Sequence, residues 1–417
     1  MESIYIILLF LLHLICFINT TNDLIQDLLD IEDQKCYAVA LDAGSSGTRA
    51  NIYNIDCFKQ YYVPNLDYRS SEVQKQKEFP RLAQFQTKVN LLKVDLFMPI
   101  FNYLNSIIES PKTRKRTPIM LGATAGMRLL TPNQQQYIIN ESITILSQSE
   151  YYFPNDPKEQ KKWCQIITGP QEGAYLWLNM NYLLGNLNME NLNKQNTVTT
   201  IDIGGASSQV AFVPIENRVE KNNQNMDMDI ILEKMDYKKL RSYTFLGFGV
   251  NQARYNIIKS VISNSENINL VQNKKNNEKI NVYFPCANNG QKIKLPENHQ
   301  IYAVSNASDS AKFLKFKREF KMQDYYEKLE YLYQMNWQQV NLQFWGDKNL
   351  YEKVFNAAYV YTLLQEVYNL KYDQIVNVPD RVDTIYPGWD LSYLMIRIGN
   401  KNSQHDKNYH IQDPYEN

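Results

Sequence analysis

YAVALDAGSSGTRANIYNI, residues 37–55, joins two apolar runs through a turn that carries one carboxylate, two glycines and three hydroxyls. Tyr37–Leu41 and Ala50–Ile55 are rich in β-formers, so the stretch reads as a β-hairpin with its turn at residues 42–48. Gly44 and Gly47 permit close backbone approach. Ser45, Ser46 and Thr48 add hydroxyls beside the N–H groups of the turn, which suits a concave nest for an anion such as phosphate. An ordinary Gly/Ser hairpin turn uses the same residues, and this stretch alone leaves both readings open.

The construction recurs. TVTTIDIGGASSQVAFVPI (197–215) is again an apolar strand ending in an aspartate, Asp202, then a Gly/Ser turn at 204–208 and a second apolar strand. Asp42 and Asp202 lie 160 residues apart, a domain's length. Each hairpin is followed by a strand ending in Leu-Gly, PIMLGATAGMR (118–128) and SYTFLGFGVNQAR (242–254), and these are taken as equivalent. A duplicated α/β domain explains this order, with two hairpins clamping one phosphate chain across a cleft. Helices are predicted from Pro132 to about Leu146, with Thr131 as N-cap and Gln134 three residues on, and after Gly169-Pro170, Val250–Ile262 and Leu350–Val367. Residues 386–398 read as a turn and a terminal apolar segment. No Walker-type or G-x-G-x-x-G loop occurs, which argues against P-loop and Rossmann sites.

With 417 residues and 44% hydrophobic content, two sizeable cores are expected. Lys+Arg 44 balances Asp+Glu 44, so nucleic acid is not an expected partner. The apolar run 4–18 suits a secretory signal core or a retained anchor within residues 1–20, and only the latter would bring a membrane into play. Sequons begin at Asn19, Asn140 and Asn306, consistent with a secreted or luminal protein. The polar tracts 221–225 and 271–279 read as solvated loops. Outside the apolar run stand Cys36, Cys57, Cys164 and Cys286. A Cys36–Cys57 bridge across the first hairpin is expected, and after it Cys164–Cys286. No Cys/His spacing suits zinc.

Asp42 and Asp202, at strand ends facing one cleft, are hard oxygen donors suited to Mg²⁺ or Ca²⁺ held through water. Glu172, in the first turn of a helix and beside Gly173, is the candidate base for an attacking water, although acidic residues are common in first turns for electrostatic reasons alone. The Thr124 hydroxyl suits a hydrogen bond to the nucleophile, Ser207 and Gln209 suit positioning of water, with Gln209 equally readable as an exposed strand residue, and Arg49 and Arg128 suit phosphate or plain ion pairing. Trp389 is read as core or as a platform for a base.

DAGSSGTR, GATAGMRLL, ITGPQEGAYLWLNMNYLLG, IDIGGASSQVAF and YPGWDLSYLM resemble, in order, the five signature regions of the nucleoside triphosphate diphosphohydrolases, or apyrases. Arg49 in the first motif makes the form closest to Golgi, soluble and plant-type members. The resemblance implies an α/β protein of two ribonuclease-H-like domains of the actin, hexokinase and Hsp70 superfamily, with the active site between them. The first domain is expected over residues 35–165 plus 385–410 and the second over 166–384.

The implied activity is removal of terminal phosphates from nucleoside tri- and diphosphates by divalent-metal-assisted attack of water. By position, Glu172 matches the base, and Thr124, Ser207 and Gln209 match groups holding the water. Asp42 and Asp202 match the carboxylates of the metal's water shell, with Trp389 beside them. Ser45, Ser46, Gly47 and Thr48 match one phosphate loop, and Gly204, Gly205 and Ala206 the other; Arg128 belongs to the second region. An exopolyphosphatase-like enzyme and a nucleotide-binding protein without turnover are the rival readings. Two departures stand out. Pro170 precedes Gln171-Glu172, and Ala307, Ser308 and Asp309 occupy a region where relatives stack aromatics on the base, which leaves loose base selectivity or another aromatic such as Tyr302 or Trp345.

Overall fold

The structure, a computed structural model, describes residues 36–55, 75–187, 197–214, 240–268, 293–297, 299–382 and 385–399. The apolar run 4–18, Asn19, Cys57, Cys286 and the tracts 221–225 and 271–279 lie outside them. No helix among the described residues is long and apolar enough to cross a membrane.

The first sheet has the order β3-β2-β1-β4-β5, from β1 (Cys36–Ala43), β2 (Thr48–Ile55), β3 (Lys75–Phe79), β4 (Ile119–Ala123) and β5 (Cys164–Ile166). The β1–β3 strands form an antiparallel meander, and β4 and β5 run parallel to β1. The near-continuous apolar sequence of β1 follows from this placement, since a central strand covered on both faces has no solvent side to alternate with.

The second sheet is built from β6 (Thr199–Ile203), β7 (Ser207–Phe212), β8 (Arg241–Leu246), β9 (Ile301–Ser305), β10 (Glu319–Lys321) and β11 (Ile375–Asn377). Its order, β8-β7-β6-β9-β11-β10, repeats the first with one strand added at the end. The repeat is therefore real, but one equivalence taken from the sequence is corrected. The SYTFLG strand, β8, is antiparallel to β7 and holds the place of β3, whereas β9, parallel to β6, is the counterpart of β4.

Local signals start the helices where expected. Helix α1 (Pro132–Ser147) opens with a capping box from Thr131 and Gln134, and α2 (Gly169–Leu183) with one from Thr168 and Gln171, each with proline in the first turn. Helices α3 (Val250–Ile268), α4 (Asn306–Phe313), α5 (Leu350–Thr362, continued by a π-turn over Leu363–Val367) and α6 (Asp390–Gly399) complete the elements used below. Helix α2 packs on β6, β7 and β8, and against α6, which itself returns to β1 and β4. One apolar core lies around the first sheet and includes Trp163, Trp177 and Tyr393; the other lies around the second and includes Tyr325, Tyr361 and Tyr368. This is the duplicated ribonuclease-H-like arrangement, with both Asp-bearing hairpins turned toward one cleft.

Two secondary expectations change. Cys164 is a free, fully buried thiol whose burial pushes its pKa up, so it makes no bridge to Cys286; as the first residue of β5 it pairs with Leu121 inside the sheet. Cys36 is disulfide-bonded, and its expected partner Cys57 lies outside the described residues. Of the sequons, Asn140 is exposed on α1, whereas Asn306 lines the cleft and donates its amide to the Ile203 carbonyl at 2.8 Å.

Candidate active site

Between the sheets lies a cleft of ≈ 470 Å³. From the first hairpin it is lined by Asp42, Gly44, Ser45, Ser46 and Arg49, and from the second by Asp202, Gly204, Gly205, Ala206 and Ser207. The turns meet: a Cβ on Gly205 would stand 2.7 Å from Ser45 Oγ. The second turn is fixed from behind by α3, where Val250 N donates to the Gly204 carbonyl at 3.0 Å and Asn251 N to that of Gly205 at 2.9 Å. Gly249 allows that approach, since a Cβ there would lie 2.2 Å from Ala206 N.

Glu172 enters between the turns from the first turn of α2 and is only 6% exposed. Arg128 Nη2 donates to its Oε2 at 2.7 Å and Gln209 Nε2 to the same oxygen at 3.2 Å, which leaves Oε1 for a water. The same Arg128 nitrogen reaches Ser207 Oγ at 3.1 Å, and Nη1 reaches the Ile167 carbonyl at 3.0 Å. Gln209 Nε2 also donates to Ser207 Oγ at 2.7 Å. Burial pushes the Glu172 carboxyl up to about 7; Arg128 opposes the shift, and the Asp202 and Asp42 charges add to it. Gly173 admits Ser242 and Gln209, which would lie 2.5 and 3.1 Å from a Cβ there.

Asp42 stands opposite Arg49 across the first hairpin, and Asp202 opposite Gln209 across the second. Arg49 Nη1 donates to Asp42 Oδ2 at 3.3 Å, and Ser305 hydrogen-bonds Asp202. Oδ1 of each aspartate is buried without any donor. Burial pushes Asp42 up to about 7 against the pull of Arg49, with Asp390 and Asp202 adding to the rise, and it raises Asp202 likewise. Orphaned carboxylate oxygens are what a hydrated cation would satisfy. Among the described residues no group of three acidic, cysteine or histidine side chains is arranged to chelate one ion, so the residues fit a cation held through its waters.

Of the remaining predicted residues, Thr124 lines the cleft at the end of β4, and Trp389 forms a wall, its indole packed where a Cβ on Gly122 would be 2.3 Å away. Arg128 and Gln209 sit behind Glu172 and Ser207 rather than in the lining. Gly47 and Thr48 do not line the cleft directly. Gly47 packs under Glu78, and Thr48 opens β2 with its side chain wholly buried.

The distal cleft carries Ser308, Asp309, Lys312, Asp380 and Tyr386, with Lys312 paired to Asp380 and the Arg381 guanidinium 3.6 Å over the Tyr386 ring. Tyr302 and Trp345 do not line it, and Trp345 is 85% exposed. Tyr386, Asn51 and Asp390 were missed, although Tyr386 and Asp390 stand within the quoted YPGWDLSYLM motif. An aspartate opening a helix carries no signal of its own.

The model of the GDA1/CD39 (nucleoside phosphatase) family matches residues 28–293. An ectonucleoside triphosphate diphosphohydrolase 5 of Gallus gallus is 31% identical over 221 residues, 52% of this chain and 47% of that protein. A Golgi apyrase of Saccharomyces cerevisiae is 28% identical over 291 residues, 66% of this chain and 45% of that protein. The chain thus spans about half the length of the curated relatives it matches. A crystal structure of nucleoside triphosphate hydrolases from Neospora caninum covers 93% of this chain and 97% of its own at 13% identity, with a TM-score of 0.53, a likeness of fold.

Proposed function

We propose, from the premise that this chain belongs to the GDA1/CD39 (nucleoside phosphatase) family, that it hydrolyses the terminal phosphate of nucleoside di- and triphosphates in this cleft. The observation that carries the reading is the convergence of both turns on Glu172. Backbone N–H groups and hydroxyls of residues 44–46 and 204–207 cradle the phosphates, with Arg49 at their edge. Thr124 and Ser207 position the water, and Glu172 Oε1 takes its proton as the water oxygen bonds to phosphorus and the phosphoanhydride bond breaks. Arg128 and Gln209 hold Glu172 by Oε2 and so fix where Oε1 points. A carboxyl poised near 7 is matched to proton transfer at neutral pH. Asp42 and Asp202 would hold the water shell of Mg²⁺ or Ca²⁺, which supplies charge neutralisation and orientation of the phosphates.

The distal cleft holds mixed charge, and the Tyr386 ring there is already stacked under the Arg381 guanidinium, so broad base tolerance is expected. Asp309 and Asp380 there disfavour an extended polyanion, which weakens the polyphosphatase reading. A binder without turnover would need no base held by two donors. The relatives' names, which include Golgi apyrase and ectonucleoside triphosphate diphosphohydrolases, together with the run 4–18, support a secretory-pathway location.

Phosphate release from ATP, ADP, GDP, UDP and polyphosphate, with metal, with chelator and in Glu172→Gln, tests the assignment. Loss of a positioned base should lower turnover roughly 10²–10⁴-fold. Chelator-insensitive turnover, an active variant, or polyphosphate as the best substrate would overturn it.

A further inference from the structure

The hydrolytic reading leaves one buried carboxylate of the cleft without a task. Asp390 opens α6, lines the cleft beside Trp389 and is 5% exposed. Its Oδ2 accepts from Tyr53 Oη at 2.6 Å and from Asn51 Nδ2 at 2.8 Å, and Gln76 Nε2 in turn holds Asn51 Oδ1 at 2.8 Å.

Strand register relates this network to Asp42. Directly opposed residues of an antiparallel pair share a face, and Asp42, Ala40 and Ala38 stand opposite Arg49, Asn51 and Tyr53. The two alanines give α6 room to settle on that face, which sets Asp390 one step behind Asp42 on the cleft floor. Asp390 accordingly acts on Asp42 as its strongest acidic neighbour, ahead of Asp202.

Charge balance then says what the cluster lacks. Among the described residues the cations set against Asp42, Glu172, Asp202 and Asp390 around the turn ends are Arg49 and Arg128, so full ionisation of these four buried carboxyls would leave a surplus of two negative charges. Buried charge without a partner is costly, and a single dication closes the difference. The orphaned, buried Oδ1 of Asp202, a residue 7% exposed, points independently to a ligand missing from the protein's own bonding.

We infer that Asp390 is a third carboxylate of the cation subsite, a positioning residue that would act with Asp42 and Asp202 on the water shell of the divalent ion. Tyr53 and Asn51 fix its Oδ2, which presents the carboxylate to the cleft as a preset anion. This rests on the metal-dependent reading above. The competing role is structural, with Asp390 merely tethering α6 to β2.

Binding of Mn²⁺ to the metal-free full chain, measured by calorimetry without nucleotide and alongside the melting temperature, separates the two. Asp390→Asn should weaken Mn²⁺ roughly tenfold or more, as loss of outer-shell partners does. Asp390→Ser should do the same and covers the case in which the Asn variant does not fold. Tyr53→Phe keeps the carboxylate and one of its two donors, so it should lower the melting temperature and weaken Mn²⁺ clearly less than Asp390→Asn does. Parent-like affinity in Asp390→Asn, or an equal loss in Tyr53→Phe, overturns the inference. Asp42→Asn and Asp202→Asn distinguish the levels: if they weaken Mn²⁺ and Asp390→Asn does not, only the third carboxylate fails, and if none does, the cation site itself fails.

Discussion

Replacing Glu172 by Gln should make the stability of the protein depend on pH in a way that isolates this one carboxyl. The group is moved from its ordinary 4.5 to about 7, chiefly by burial. At about 1.4 kcal/mol per tenfold change in a proton equilibrium, the shift corresponds to about 3 kcal/mol. Between pH 4.5 and 7 the folded parent binds more protons at this site than the unfolded chain does. Its contribution is therefore fully present below the unfolded value and is lost as pH rises through the folded one. The variant also carries a constant penalty, the cost of setting an amide in place of the protonated carboxyl against Arg128 and Gln209. That penalty does not titrate, so it offsets the comparison without changing its slope. Urea unfolding of both proteins in chelator at several values between pH 5 and pH 8 should show the parent's advantage shrinking by about 2–3 kcal/mol as pH rises. A difference that stays flat across this range, or grows with pH, would refute the placement of Glu172 in a desolvated site.

Other perturbations test the neighbouring geometry. Arg128→Lys cannot span Glu172, Ser207 and the Ile167 carbonyl together, so kcat should fall by about tenfold or more with KM little changed; steady-state kinetics showing a normal kcat would count against its positioning role. Gly205→Ala places a Cβ 2.7 Å from Ser45 Oγ, an atom that can rotate away, so the melting temperature should hold while kcat/KM falls by up to about 10²-fold as the turns are misaligned. Gly249→Ala meets only backbone, Ala206 N at 2.2 Å and Gly205 C at 2.4 Å, and should destabilise by about 1–3 kcal/mol in denaturant titration; parent-like stability would refute the packing of α3 on the second turn.

What the sequence discloses about this molecule follows the range of the interactions involved. The hairpin turns declare themselves because their Gly, Ser and Asp residues act within a few positions of one another, and so do the capping boxes of Thr131 and Thr168. Matching Leu-Gly pairs misaligned the repeat because two residues at a strand end carry no information about strand direction. Only the ladders show β8 antiparallel to its neighbour and β9 parallel. Cys164 was assigned a partner by counting, whereas the sheet buries it away from any. Asp390 is the extreme case, since its partner Asn51 is 339 positions away and its helix-opening place has a sufficient local explanation. The site is legible where a turn builds it, and hidden where the return of the last helix to the first sheet does. A variant of Asp390 therefore probes the tertiary closure of the cleft, and variants of Asp42 and Asp202 probe its local chemistry.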